Sequence, residues 1–369
     1  MAGRIVLFGA TGYTGELTAR ELAGRGERPV LAARNEARVR ALAGELGGLD
    51  WTVADVDRPE SVRALVEEGD VLLSTVGPFA RWGAPAVEAA IAAGAHYLDS
   101  TGETPFIRAV FERWGPRAAD AGVVLLTAMG YDWVPGNLAG ALALREAGAE
   151  AVRVEIGYFV TGRAMSGSAM SGGTRASAAG VMLEPSFAFR GGRLVTERAG
   201  ARGRSFMAGG RSRKGISAGS SEHFALPRSF PQLRDVDVLL GLFGGASDAV
   251  RAFSLGTSLV TKLPGVRPLL GEVVGRTVKG SSGGPDAEAR AGTGSLVVAE
   301  AQDPGGRVLS TVVLDGVNGY DFTAGMLAWG AHALAVRRLS GRGALGPVEA
   351  FGLDALEEGA RSAGISRAR

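Results

Sequence analysis

The stretch Arg4 to Gly15, Arg-Ile-Val-Leu-Phe-Gly-Ala-Thr-Gly-Tyr-Thr-Gly, constrains this chain more than any other. Four apolar residues, Ile5 to Phe8, run directly into three glycines spaced three apart. The apolar run predicts a buried strand, and Gly9 permits the sharp bend that carries it into a helix from about Thr14 to Ala23. Gly12 and Gly15 let main chain approach a phosphate, which the N–H groups at a helix start bind. A second strand, Pro29 to Ala33, completes a strand–helix–strand unit of the size a dinucleotide requires. Gly9, Ala10, Thr11, Gly12, Tyr13, Thr14 and Gly15 are thus the candidate phosphate-binding turn. The bland alternative is an ordinary strand-to-helix turn; the context on both sides favours binding.

The tip of the second strand selects between cofactors. An NAD site places a carboxylate there to accept the ribose 2′-hydroxyl, and that carboxylate would repel a 2′-phosphate. Ala32-Ala33-Arg34 has no carboxylate and offers a cation just beyond, which predicts NADP(H). The alternative leaves Arg34 as a solvated surface charge, with Glu36 reaching the ribose. An amphipathic helix follows from Glu36 to Leu46, then a third strand, Trp51 to Ala54, ending at Asp55. Asp55 is a candidate for the adenine amino group or, equally, a turn residue. The fourth strand, Val71 to Val76, breaks at Gly77-Pro78. Because parallel strands bind ligands beyond their carboxyl ends, Thr75, Val76, Gly77, Pro78 and Phe79 are expected under the pyrophosphate and nicotinamide ribose. Helices at Pro85 to Ala93 and Pro105 to Ala121 alternate with strands at Ala95 to Asp99 and Val123 to Thr127. The expected class is α/β, a Rossmann-type doubly wound parallel sheet with a second α/β (α+β) substrate domain.

At 369 residues the chain exceeds one simple core and fits two domains. Its 46% apolar and 21% charged content is that of a globular protein. Cysteine is absent, which excludes disulfides, thiolate catalysis and Cys-ligated zinc. His96, His223 and His332 lack ligand-like spacing, so no metal is expected. A net charge of +2 is too small for a nucleic-acid footprint. No apolar run is long enough to span a bilayer and no signal-peptide pattern precedes the first strand, so a cytoplasmic location is expected.

Several blocks together resemble one family. Gly9 to Gly15, Thr75-Val-Gly-Pro-Phe79, Gly94-Ala-His-Tyr-Leu-Asp99 with Gly102-Glu103, and Gly130-Tyr-Asp-Trp-Val-Pro135 are similar to signature blocks of saccharopine dehydrogenase-like reductases, nearest the bacterial branch that includes trans-acting enoyl reductases. The resemblance implies an NADP-binding Rossmann domain, a second α/β domain, and hydride transfer to or from C=N, C=O or C=C. It departs at Trp133, Gly136 and Asn137, where relatives tend to carry Ser and then Ser-Asp, and this bears on the substrate class.

The expected domains are 1–148, 149–319, and a C-terminal helical segment, 320–369, returning to the first. In the second, Val152 to Tyr158 alternates as a half-buried strand. Gly172-Gly173-Thr174 resembles the family's helix-opening segment and is a candidate substrate contact or a plain turn with an N-cap. Basic residues recur from Arg190 to Lys214, which predicts a solvated hairpin or mobile loop, or else a patch for a phosphorylated or carrier-bound, anionic substrate. Glu222 to Pro231 reads as a loop, lining a pocket or making the contact of an expected homodimer. Ser295 to Ala301 and Arg307 to Leu314 read as a hairpin, and Ala324 to Arg338 as a helix.

These features point to an NADPH-dependent reductase. Candidate proton donors are Tyr131, Asp132 and Glu103, with Tyr158 and His223 from across the cleft. A short-chain dehydrogenase needs a Lys four residues after its Tyr. Here Leu17, Thr101, Pro135, Gly162 and Ala324 hold those positions. A non-catalytic NADP(H) sensor is the alternative from another class.

Overall fold

The structure, a computed structural model, describes residues 3–162, 185–241, 283–336 and 341–368. Six strands alternate with helices in the first part of the chain: β1 (Ile5–Phe8), β2 (Val30–Ala33), β3 (Trp51–Val53), β4 (Val71–Ser74), β5 (His96–Asp99) and β6 (Val124–Leu126). They pair in parallel in the order β6-β5-β4-β1-β2-β3. The chain runs outward from β1 to β3 and then crosses back to β4, so the order reverses between β1 and β4. Ligands of doubly wound sheets bind outside such a switch point. Helices cover both faces, and accordingly β1 and β4 are buried at every position.

A nine-stranded mixed sheet forms the second layer. Its centre is β7 (Arg153–Gly162), which pairs in parallel with β12 (Asp235–Leu240) and antiparallel with β13 (Thr293–Gln302). β13 and β14 (Val308–Val317) form the expected hairpin. Beyond β12 lie β11 (Arg211–Ser217) and β10 (Gly203–Ala208), while β8 (Pro185–Arg190) pairs with β12 and with β9 (Arg193–Arg198). Helix Val134–Ala147 packs on β7, β13 and β14. Leu138, Leu142 and Leu144 on that helix are all buried. A smaller cluster of Phe159, Phe206, Leu239, Leu296 and Val298 covers part of the opposite face.

The C-terminal part divides between the layers. Helix Gly319–Val336 packs against helix Tyr13–Gly24, β4 and β5, and β15 (Gly343–Ala344) pairs with β6 as the outer strand of the first sheet. β16 (Ile365–Arg367), however, pairs with Leu314 to Gly316 of β14, so the segment expected to return wholly to the first domain ends in the second sheet.

Three local expectations need correction. Glu222 to Ser229 is a helix rather than a loop, because Glu222 and His223 turn inward with Ala225 and Leu226 three residues on, even though Pro227 lies inside it. The helix expected from Pro105 to Ala121 is interrupted by a π-helical turn, Val110–Trp114, just before Pro116, whose ring nitrogen has no hydrogen to donate back. The basic run needs correction only in part: it is hairpin, as one reading has it, but two hairpins with three of their cations paired to acids, Arg190 to Asp237, Arg202 to Glu197 and Asp237, and Arg204 to Glu155 and Glu300. Three of those four acids lie outside the basic stretch in sequence, so the stretch read alone overstates the charge that folding leaves.

Candidate functional site

Gly9 adopts φ +91°, the left-handed region open to glycine. A Cβ on Gly15 would lie 2.1 Å from the Gly9 carbonyl oxygen, so turn and helix touch at van der Waals contact only because both residues lack side chains. Thr75 at the end of β4 seals the turn from behind, its Oγ1 donating to the carbonyls of Phe8 (3.3 Å) and Gly9 (3.2 Å). No side chain caps the helix at Gly12, and its first-turn amides have no carbonyl four residues earlier in the helix. The only acid of that first turn, Glu16, is bonded to Arg20 at 2.9 Å. This end of the helix is therefore open to an anion.

A cleft of about 250 Å³ opens from that turn. Gly9, Thr11, Gly12, Thr75, Val76 and Gly77 line one end, and Arg34, Arg38 and Asp55 the other. Arg34 is exposed to the cleft and Glu36 does not line it, which favours the first of the two sequence readings. Arg38, not singled out from sequence, donates to the Thr11 carbonyl at 2.9 Å, and Asn35 caps its helix through the Arg38 amide. Two guanidiniums, one just before helix Glu36–Glu45 and one in its first turn, and an uncapped helix start at Gly12 make a donor set suited to a dinucleotide with an extra phosphate. Asp55 lines the cleft and makes a turn contact, accepting the Asp57 amide at 3.2 Å. Ala10 is buried against β2, and Phe79 packs on Phe106 with ring centroids 5.5 Å apart. Pro78 follows a cis peptide and, like Phe79, lies outside the cleft lining.

On the other side of the turn a second cleft, about 200 Å³, runs between the two sheets. Thr14, Ser100, Tyr131 and Asp132 come from the first layer, and Tyr158, Phe159, Val160, Leu240, Arg290 and Ser295 from the second. Tyr13 ties the layers together. Its hydroxyl donates to the Pro285 carbonyl, and Arg290 donates to it at 3.2 Å while holding Asp321 at 2.7 Å. Arg290 on helix Ala287–Ala291, Ser295 on β13 and Asn318 just before helix Gly319–Val336 carried no signal in the sequence, because the elements that present them look like ordinary scaffold.

Tyr131 and Asp132 sit on the loop between β6 and helix Val134–Ala147. Asp99 at the end of β5 holds its base, accepting from the Thr101 and Ala128 amides, both at 2.9 Å, and from Thr127. Burial nevertheless pushes the Asp99 carboxyl up to about 6. Ala128 has φ +61°, a left-handed conformation for a non-glycine residue, at the point where the chain turns toward the cleft. The Tyr131 hydroxyl donates to the Phe159 carbonyl at 3.3 Å, and burial moves its pKa upward. The Asp132 side chain opens onto the cleft, yet protein surrounds the cleft, and that desolvation pushes the carboxyl up to about 6. Gly102 leaves room for it: a Cβ there would stand 2.8 Å from Asp132 Oδ2.

The remaining candidates fall elsewhere. Glu103 is not a cleft acid: its two oxygens accept the Phe79 and Ala80 amides at 2.8 and 2.9 Å, capping the short helix Phe79–Trp82. His223 is buried against Phe187, its Nδ1 within 3.0 Å of Ser220 Oγ, and burial lowers its pKa to about 4. It lines neither cleft and is a neutral packing residue. Tyr158 reaches the cleft wall, but its hydroxyl is turned inward to Gly136, Trp133 and Glu222. Gly172, Gly173 and Thr174 lie outside the described residues. Among the described residues no helix is long and apolar enough to cross a membrane.

A parallel sheet with an anion-ready turn at its switch point, facing a mixed sheet across a second cleft, defines a two-layer dinucleotide-binding protein. Residues 5–126 match the family model described as the saccharopine dehydrogenase NADP binding domain, and NADP(H) is the cofactor that family names. Over 140 residues the chain is 41% identical to trans-acting enoyl reductases of Mycobacterium ulcerans and Mycobacterium tuberculosis. Those matches cover 36% of this chain and 34% of each relative, so the chain spans about a third of the length of the curated relatives it matches. In fold, the whole chain is similar to apo saccharopine dehydrogenase (L-Glu forming) from Saccharomyces cerevisiae, with TM-score 0.60 and 14% identity over 99% of both chains.

The two arginines give the cofactor site a direct test. Arg34→Ala and Arg38→Ala are each expected to weaken NADPH binding by roughly 10- to 100-fold, the value of one or two charge-assisted hydrogen bonds. NADH affinity should change little. Fluorescence titration of both cofactors measures this, and equal NADPH and NADH affinities in the unaltered protein would remove the assignment.

Proposed function

We propose that the protein is an NADPH-dependent reductase acting on the C=C bond of an enoyl group, with Asp132 as the proton donor. The observation that carries this reading is the position of Asp132. It is an accessible carboxyl with a raised pKa in an interdomain cleft that begins where the cofactor turn ends. The names of the mycobacterial relatives support an enoyl substrate, and Phe159, Val160 and Leu240 give the cleft apolar walls suited to an acyl chain.

The turn Gly9 to Gly15 with Arg34 and Arg38 would hold NADPH, which supplies a hydride when bound. What remains for the protein is to place the acceptor, exclude water and deliver a proton. Hydride addition to the β-carbon of an enoyl ester or thioester leaves negative charge on the carbonyl oxygen and α-carbon. Asp132 in its acid form donates to the α-carbon and is reprotonated from water through the open cleft. Tyr131, fixed by Phe159, stays a neutral phenol and walls the same space. Arg290, shared between Tyr13 and Asp321, adds a positive field that favours a carrier-bound or otherwise anionic substrate.

The reading is tested by following NADPH oxidation with a panel of α,β-unsaturated acyl thioesters, alongside imines and ketones. Turnover of the enoyl members with a saturated acyl product is expected. Reduction confined to imines or ketones would replace the substrate class, and binding of NADPH with no turnover on any member would favour the sensor.

A further inference from the structure

Behind the cleft, Glu222 is completely buried in the first turn of helix Glu222–Ser229, where neither the sequence nor the proposed reaction gives it a task. Its Oε1 lies 2.7 Å from the Tyr158 hydroxyl. The same hydroxyl is 2.7 Å from the Gly136 amide nitrogen and 3.1 Å from the Trp133 carbonyl oxygen. Gly136 has no side chain because a Cβ would stand 2.2 Å from that hydroxyl.

The three contacts fix where the hydrogens are. A phenol has one hydrogen and two lone pairs. The Gly136 amide can only donate and takes one lone pair; the Trp133 carbonyl can only accept, so the single phenol hydrogen cannot serve both that carbonyl and an ionised Glu222. If Glu222 were ionised it would be a second acceptor competing for that single hydrogen, and one contact would be two lone pairs facing each other. If Oε1 carries a proton, it donates to the remaining lone pair and all three contacts are satisfied. Glu222 Oε2 has no partner of good hydrogen-bond geometry; the Ser220 side chain and the Glu222 amide favour a charge there, but burial outweighs them, so the oxygen is tolerable on a neutral acid and costly on a buried anion.

We infer that Glu222 is a neutral carboxylic acid that, by donating to Tyr158, positions the loop carrying Tyr131 and Asp132. It is a positioning residue, acting through Tyr158 on Trp133 and Gly136, the residues that follow Asp132. Asn137 reinforces the same joint, donating to the Trp133 carbonyl and to Ser221 Oγ, both at 3.0 Å. The bearing on catalysis rests on the reductase reading; the protonation state does not.

Among the described residues no cation is placed to stabilise an anion there. Asp132, on the loop, repels a charge on Glu222. Of the groups on β8, β12 and the helix Pro347–Phe351, Arg190 is bonded to Asp237, and Glu349 stands 4.0 Å from Arg228 on the far side of the Glu222 helix. His223 is neutral, and burial raises Glu222 to about 8. The folded chain therefore keeps this proton to a higher pH than an unfolded one, where an ordinary Glu titrates near 4.3. Between those values the folded state binds one more proton, so stability falls as pH rises. Asp99 and Asp132, raised to about 6, and His223, lowered to about 4, have titrated by pH 7, leaving Glu222 as the source of the slope from pH 7 to 8.5.

The test compares the protein with Glu222→Gln, whose amide also donates to Tyr158, and with Glu222→Leu, which does not. Between pH 7 and 8.5 the melting temperature of the protein should fall by about 1 °C per pH unit, and that of Glu222→Gln should be flat. Infrared difference spectra at pH 7 should show a protonated-carboxyl C=O band that Glu222→Gln lacks. In the reductase assay Glu222→Gln should keep kcat and lose the fall centred near pH 8, while Glu222→Leu lowers kcat at every pH. Identical thermal slopes in the protein and Glu222→Gln, or no carboxyl band in the difference spectrum, would overturn the inference. Neither measurement needs turnover, so it stands or falls apart from the reductase reading.

Discussion

Asp132→Asn should lower kcat by on the order of 10²- to 10⁴-fold while leaving the melting temperature and NADPH affinity close to those of the unaltered protein. An amide of the same shape fills the same space beside Gly102 but cannot give up a proton at neutral pH. The unaltered protein should also show the sign of an acid donor. With the carboxyl at about 6, kcat/KM is level below that pH and falls tenfold for each unit above it, as the donating form is lost. Steady-state kinetics from pH 5 to 9 measure both effects. A fully active Asp132→Asn would move the donor to Tyr131 or solvent and leave Asp132 as a solvated loop residue.

Gly15→Ala should raise the Kd for NADPH by 100-fold or more, on the order of 3 kcal/mol, with a loss of stability of about 1–3 kcal/mol from overpacking. The added Cβ would stand 2.1 Å from a backbone oxygen, not from the end of a side chain that can rotate away. Turn and helix must separate, and the amides that converge on a phosphate separate with them. Gly24→Ala, at the other end of the same helix, is the control. Nothing lies within 4 Å of its Cβ position, so the change should stabilise slightly and leave binding alone. Similar losses from both substitutions would mean that helix propensity, not the close approach, limits binding.

The first layer was legible because its determinants are local. A buried parallel strand is a run of apolar residues, and its glycines announce the turn that follows, so β1, β4, the turn and Arg34 could be read in order. Arg38 was missed because an arginine on an exposed helical face looks the same whether or not a cleft lies beside it. The second layer was less legible because its partners are distant in sequence. Arg190, Arg202 and Arg204 read as a basic patch until Asp237, Glu155 and Glu300 arrive from neighbouring strands. Glu103 and Asp132 were equal as carboxylates in sequence. Folding separates them, giving one to two backbone amides and leaving the other facing the cleft. Gly136 appeared as a departure from the family pattern, and its reason, a tyrosine hydroxyl from 22 residues farther along, could be seen only in three dimensions.

The division of the C-terminal part between the layers governs how the chain can be made. The Gly343–Ala344 strand closes one side of the cofactor sheet, and the Ile365–Arg367 strand is added to the other layer some twenty residues later. During synthesis the cofactor sheet cannot be finished until residue 344 has left the ribosome's tunnel, nor the second sheet until residue 367 has. The nascent first domain meanwhile exposes the edge of β6, a row of unsatisfied amides and carbonyls awaiting a strand not yet translated. A slow site in the message before residue 343 would lengthen that exposure.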